Sequence, residues 1–140
     1  SSDLIYAEDT AKFGQPEARL GMITGWGVTF RLAERIGRHR AKQLVFTCEI
    51  ITAEKAREIG LVNGIFPAGD FRTGVLGVAR TIAAGAPTAI RLEKAMINRP
   101  ADGLRGTEEA ESLRLCVETE DQKEGVQAFL EKREARFRNR

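Results

Sequence analysis

Apolar residues recur along this chain at helical spacing in several places. Val28, Leu32 and Ile36 lie four apart, which places them on one face and predicts a first helix over residues 25–36, with Gly37 as its stop. A short second helix is expected over 40–46. Thr52 is a residue type that caps helix N-termini, so a third helix is expected after it, ending at Gly60. Phe71, Val75, Val78 and Ile82 trace a further helical stripe in spite of two interior glycines. Pro87 suits the first position of the next helix, which must end by Pro100. Short apolar runs at 4–7 and 61–66, bounded by Glu8-Asp9-Thr10 and by Pro67, predict strands, and Phe13-Gly14 a brief extended piece.

The last third reads as a two-helix tail. Residues 103–117 are expected to be helical, with Ala110, Leu113, Cys116 and Val117 facing inward. Thr119-x-x-Gln122 has the form of a capping box, in which hydroxyl and amide satisfy each other's free backbone donors. Val126, Phe129, Leu130 and Phe137 then make the final helix amphipathic. Such a tail has little sheet of its own and must pack on a core or on a neighbouring subunit.

Composition narrows the function classes. The 140 residues carry a formal charge of +2 with acids and bases interspersed, which points to neither nucleic acid nor an acidic membrane surface. Cys48 and Cys116 lie far apart and the lone His39 sits in an arginine-rich turn, so no structural metal is expected and the compartment reads as reducing. No apolar run approaches the length of a membrane span, and no signal-peptide core or transit pattern is visible. Arg35, Arg38, His39 and Arg40 read as a solvated helix connection.

The candidate chemistry sits at Gln15-Pro16-Glu17. It is followed by Leu20-Gly21 and by Gly25-Trp26-Gly27, which set one carboxylate beside a glycine-rich helix start. Glycines allow tight turns and close approach of backbone to a ligand, and a helix start offers unpaired amides to oxygen atoms. Taken by themselves, Pro16 and Glu17 also fit a simple turn with a solvated acid.

The wider run carries a resemblance. Phe13-Gly14-Gln15-Pro16-Glu17, Leu20-Gly21, Gly25-Trp26-Gly27 and Thr29-Phe30-Arg31-Leu32 resemble the enoyl-CoA hydratase and isomerase (crotonase) superfamily, whose usual form is FGQPE, LG, PG-x-GG and TQRL. Asp3-Leu4-Ile5-Tyr6-Ala7 is similar to the family's preceding strand. Ile51-Thr52-Ala53-Glu54-Lys55-Ala56 with Gly60-Leu61-Val62-Asn63 is similar to its ISAEEA and GLVN segment. Thr119-Glu120-Asp121-Gln122-Lys123-Glu124-Gly125 and Phe129-Leu130-Glu131-Lys132-Arg133 match its C-terminal signature. The likeness covers nearly the whole chain.

That resemblance implies an α/β fold, the C-terminal part of a crotonase-like ββα spiral, mostly helical with a few short strands. Residues 1–66 would form the end of the spiral core with the active-site segment, and 67–140 a helical oligomerisation region. It also implies that the oxyanion-hole amides and a second glutamate lie ahead of Ser1, so this chain alone is expected to have little activity. Glu17 would face the C2–C3 bond of an enoyl thioester as acid and base, with the Gly25 amide directed at the attacking water. Pro16, Leu20, Gly25 and Trp26 would contact substrate, although a tryptophan beside glycines equally suits packing. Phe129 and Lys132 would approach the adenine and phosphates of coenzyme A bound to a neighbouring subunit; the other reading makes Phe129 core and Lys132 a solvated side chain.

Three residues depart from the family pattern. Thr24 stands for proline, Val28 for glycine and Phe30 for glutamine, all beside the acyl site. The implied partners are an acyl-CoA substrate and further copies of the chain, as a homotrimer or dimer of trimers, in the cytoplasm, with no membrane, no nucleic acid and no cofactor beyond the thioester itself. The alternatives are an enoyl-CoA isomerase that uses Glu17 alone, or a noncatalytic module binding a partner protein or RNA through its basic end.

Overall fold

The computed structural model describes residues 2–20, 22–25, 27–99, 111 and 113–140. Its elements are β1 (Tyr6–Glu8), β2 (Lys12–Phe13), a 3-10 turn (Glu17–Leu20), α1 (Val28–Ile36), α2 (Arg38–Thr47), β3 (Ile51–Thr52), α3 (Ala53–Glu58), β4 (Gly64–Phe66), a second 3-10 turn (Ala68–Asp70), α4 (Phe71–Ala83), α5 (Pro87–Ile97) and α6 (Glu120–Glu131). Residues 113–117 are also helical. The result is the mostly helical α/β arrangement with a few short strands that the family resemblance implies. The chain divides into two units, Ser1–Leu76 and Gly77–Arg140.

In the first unit β1 pairs with β4 in parallel, Tyr6 opposite Gly64 and Glu8 opposite Phe66. β2 pairs with β3 antiparallel, Phe13 opposite Ile51. Ala7, Leu32, Ile36, Ala41, Leu44, Ile51, Ala53, Ala56, Ile59 and Val62 form one buried cluster. The α1 stripe therefore buries as its spacing requires, and each Leu or Ile fully withdrawn from water contributes about 1.5–3 kcal/mol. Ala53 and Ala56 have no exposed surface. Larger side chains there would have to displace the α3 turn from its neighbours.

The α1 start differs from the expected position. The helix begins at Val28, not at 25 or 26, because Gly27 takes φ +77° in the left-handed region and a helix cannot run through it. Phe30 covers this glycine, and a Cβ there would come within 2.8 Å of the ring. The Arg31 guanidinium in turn lies 5.7 Å from the Phe30 ring centroid. α2 is longer than expected, running from Arg38 to Thr47. The Thr52 cap forms, its hydroxyl accepting the Lys55 amide at 3.3 Å.

In the second unit Pro87 takes the first turn of α5. Thr119 caps α6 by accepting the Gln122 amide at 3.1 Å. The reciprocal half of the capping box is replaced, since the Thr119 amide donates to the Cys116 carbonyl at 3.1 Å. The predicted inward faces correct in part. Cys116 is half-buried, but Leu113 is 64% and Val117 52% exposed, and Ala110 lies outside the described residues. Phe137 is not on the last helix, which ends at Glu131. Lys132 turns left-handed, φ +53°, and sends residues 133–140 back along α6 until Phe137 lies over Gly125. Buried Asp121 holds the returning segment by accepting the amides of Arg138 and Asn139 at 2.6 and 2.7 Å.

Candidate active site

The carboxylate of Glu17 is presented by a short turn rather than by a helix or strand. Pro16 precedes it with φ fixed and no amide to satisfy, and its carbonyl accepts the Arg19 amide at 3.0 Å to close the 3-10 turn. The Glu17 carbonyl then accepts the Met22 amide at 3.1 Å. These two bonds fix the backbone on both sides of the acid, so its side chain starts from a defined place. The turn packs against α2, which ties it to the buried cluster.

Glu17 itself is half-buried. Its Oε2 accepts a hydrogen bond from Thr24 Oγ1 at 3.4 Å, a long bond for two oxygens. Thr24 is only 4% exposed, one of two buried polar residues among those described. In the sequence Thr24 stands out only as a departure from a proline; its hydroxyl signals a polar partner, but which partner depends on the fold between it and Glu17.

Gly25 is exposed and accepts the Val28 amide at 3.1 Å, while no described residue accepts its own amide hydrogen. It sits at the left-handed entry to α1, the end of a helix where free amides and the dipole favour an oxygen or a negative charge. Leu20, Met22 and Ile23 are 69%, 55% and 87% exposed and line the segment between the acid and this glycine. Of these, sequence reasoning singled out only Leu20. Pro16 is exposed beside Glu17, and Trp26 lies outside the described residues. A carboxylate, an amide that no described residue accepts and apolar surface within one ten-residue stretch form an arrangement that can bind an apolar chain and move protons at one end of it.

Phe129 and Lys132 belong to the second unit. Phe129 is 82% exposed, which corrects the reading that makes it core, and Lys132 is exposed at the end of α6. In the basic turn after α1, Arg35 reaches the Ser2 carbonyl at 3.5 Å, and Arg38, His39 and Arg40 are solvent-exposed. Among the described residues no group of three or more His, Cys, Asp or Glu side chains could hold a metal ion. None of their helices is long and apolar enough to cross a membrane. Cys48 and Cys116 are free thiols.

Comparisons with known proteins bear on the family and the fold. The family model described as "Enoyl-CoA hydratase/isomerase" matches residues 1–140. The "Short-chain-enoyl-CoA hydratase" of Clostridium acetobutylicum is 40% identical, across 100% of this chain and 55% of its own length. The "Crotonyl-CoA hydratase" of Syntrophomonas wolfei is 43% identical across 96% of this chain and 53% of its own. The crystal structure of an enoyl-CoA hydratase from Bacillus anthracis superposes with a TM-score of 0.94 at 34% identity, covering 99% of this chain and 55% of that one. The chain thus spans about half the length of these relatives. With a family match over every residue and a shared fold at this level of identity, the chain belongs to the enoyl-CoA hydratase/isomerase family.

Proposed function

We propose that the full-length protein is an enoyl-CoA hydratase that adds water syn across the C2–C3 double bond of a 2-trans-enoyl-CoA, with Glu17 as acid and base. The observation that carries this reading is the half-buried Glu17 carboxylate on its 3-10 turn, with the Gly25 amide, which no described residue accepts, in the same segment. The relatives named as short-chain enoyl-CoA and crotonyl-CoA hydratases support the substrate class.

The chemistry follows from the charges involved. Water oxygen bonds to C3 and the π pair moves toward C2, with negative charge building on the thioester oxygen; a proton then goes to C2. As the O–H bond of the attacking water breaks, its proton passes to the carboxylate, and Glu17 delivers a proton to C2; in the reverse direction it removes the C2 proton and returns it to the departing water. The Gly25 amide donates to the water as it is held for attack. Leu20 and Pro16, with Trp26, border the acyl chain. No cofactor is needed, because the thioester activates its own C3. The exposed Val126, Phe129 and Leu130 on α6 suit burial between subunits of a homotrimer or dimer of trimers, where Phe129 and Lys132 serve a neighbour's coenzyme A. Free thiols suit a cytoplasmic enzyme.

The test is crotonyl-CoA hydration by the full-length protein and by Glu17→Gln. Loss of a positioned acid/base lowers kcat by about 10²–10⁴. Undiminished turnover by Glu17→Gln overturns the proposal, and isomerisation of a 3-enoyl-CoA without hydration moves it to the isomerase reading.

A further inference from the structure

We infer that Thr24 is a positioning residue for Glu17, a role that rests on the proposed reaction and deepens it. The observation is the bond from Thr24 Oγ1 to Glu17 Oε2 at 3.4 Å, made by a side chain that is 4% exposed. A buried hydroxyl without a partner costs as much as the bond it fails to make, so the fold has reason to keep these two groups together. No other described side chain donates to the Glu17 carboxylate.

One consequence follows from holding one oxygen. The carboxylate can no longer rotate freely about its last torsion, so Oε1 keeps a fixed direction while Oε2 is occupied. This acts on proton transfer at C2 and not on the binding of the thioester or of the nucleotide end. The residue type matters for this. The family pattern has proline at this position, which carries no hydroxyl, so this chain gains a donor beside its acid that the pattern lacks. The length of the bond leaves room for it to shorten when substrate excludes water from the segment.

The test uses the full-length protein with crotonyl-CoA and four variants, Thr24→Val, Thr24→Ala, Thr24→Ser and Glu17→Gln, each checked for folding by circular dichroism. Valine keeps the shape and removes the donor, alanine is the second donor-free variant, and serine restores the hydroxyl. We expect kcat to fall about tenfold in the valine and alanine variants, as for one modest hydrogen bond to a charged group, with KM within about twofold and with serine within about threefold of the parent. Equal kcat in valine, serine and parent overturns the role of Thr24 while leaving Glu17 in place. Loss of kcat that serine does not rescue, or failure of both donor-free variants to fold, also overturns it, because Thr24 then serves packing. Full activity in Glu17→Gln instead overturns the parent reading and this one with it.

Discussion

Asn63 and Ile5 bind each other twice. The Asn63 side-chain Oδ1 accepts the Ile5 amide at 2.8 Å, and the Asn63 amide donates to the Ile5 carbonyl at 2.7 Å. The pair sits immediately before the point where β1 and β4 come into register at Tyr6 and Gly64. A parallel pair has no hairpin to align it, so a residue that supplies both a donor and an acceptor at its entrance sets which residues meet.

Asn63→Ala is therefore expected to lower stability by about 1 kcal/mol, the usual net value of one lost hydrogen bond, with the Ile5 amide left to water. The midpoint of urea unfolding reads this directly. An unchanged midpoint would mean that the β1–β4 register is held by its ladder alone.

Gly74 and Gly77 make a paired test on one helix. In an exposed helix interior, glycine to alanine stabilises by about 1 kcal/mol, and Gly77 has open space around its missing Cβ, so Gly77→Ala should gain that amount. At Gly74 a Cβ would lie 2.4 Å from the Phe66 ring, which is itself against Tyr6 with centroids 5.6 Å apart. Overpacking of this kind costs about 1–3 kcal/mol and exceeds the propensity gain, so Gly74→Ala should destabilise. Thermal unfolding that rises for both variants would mean the Phe66 ring moves aside at no cost.

The sequence made most of this fold legible because its signals are local. The Thr52 and Thr119 caps and Pro87 depend on a few neighbouring residues, and all three act where expected. The features that escaped depend on the chain returning to itself. Phe137 continues the α6 apolar spacing, yet the left-handed Lys132 turns the backbone first. The α1 start moved because Gly27 takes a left-handed conformation, with Phe30 covering the place where a side chain would stand. At the candidate site the Glu17 motif was plain, whereas its bond to Thr24 required the fold of the residues between them.

Asp121 should be the residue on which the returning tail depends. Its two carboxylate oxygens accept two backbone amides, and its own amide donates to the Arg140 carbonyl at 2.9 Å. Asp121→Asn keeps the shape but turns one acceptor into a donor facing an N–H. Bonds to charged groups contribute about 1.5–3 kcal/mol, so this variant should release residues 133–140 to limited trypsin cleavage while α6 persists. Cleavage at the parent rate would show that the tail is held by other contacts.

The same tail should respond to acid in a defined window. Glu124 accepts Arg133 Nη1 at 2.6 Å and Nη2 at 3.0 Å, and also the Arg136 amide at 2.8 Å. The Arg133 bond first, and the Arg136 amide second, lower its pKa from the ordinary 4.5 to about 2. Glu131 is lowered as well, by Gln127 and then by Arg133. A carboxyl whose folded value is depressed contributes stability that is complete above its unfolded value and is lost as pH falls through the folded one. Tail docking should thus be constant above about pH 4.5 and weaken progressively as the pH approaches about 2. The Arg136 amide shift, followed by NMR against pH, should titrate near the lower value in the parent and stay flat in Glu124→Gln. A midpoint near 4.5 would mean that the bidentate Arg133 pair does not persist in solution.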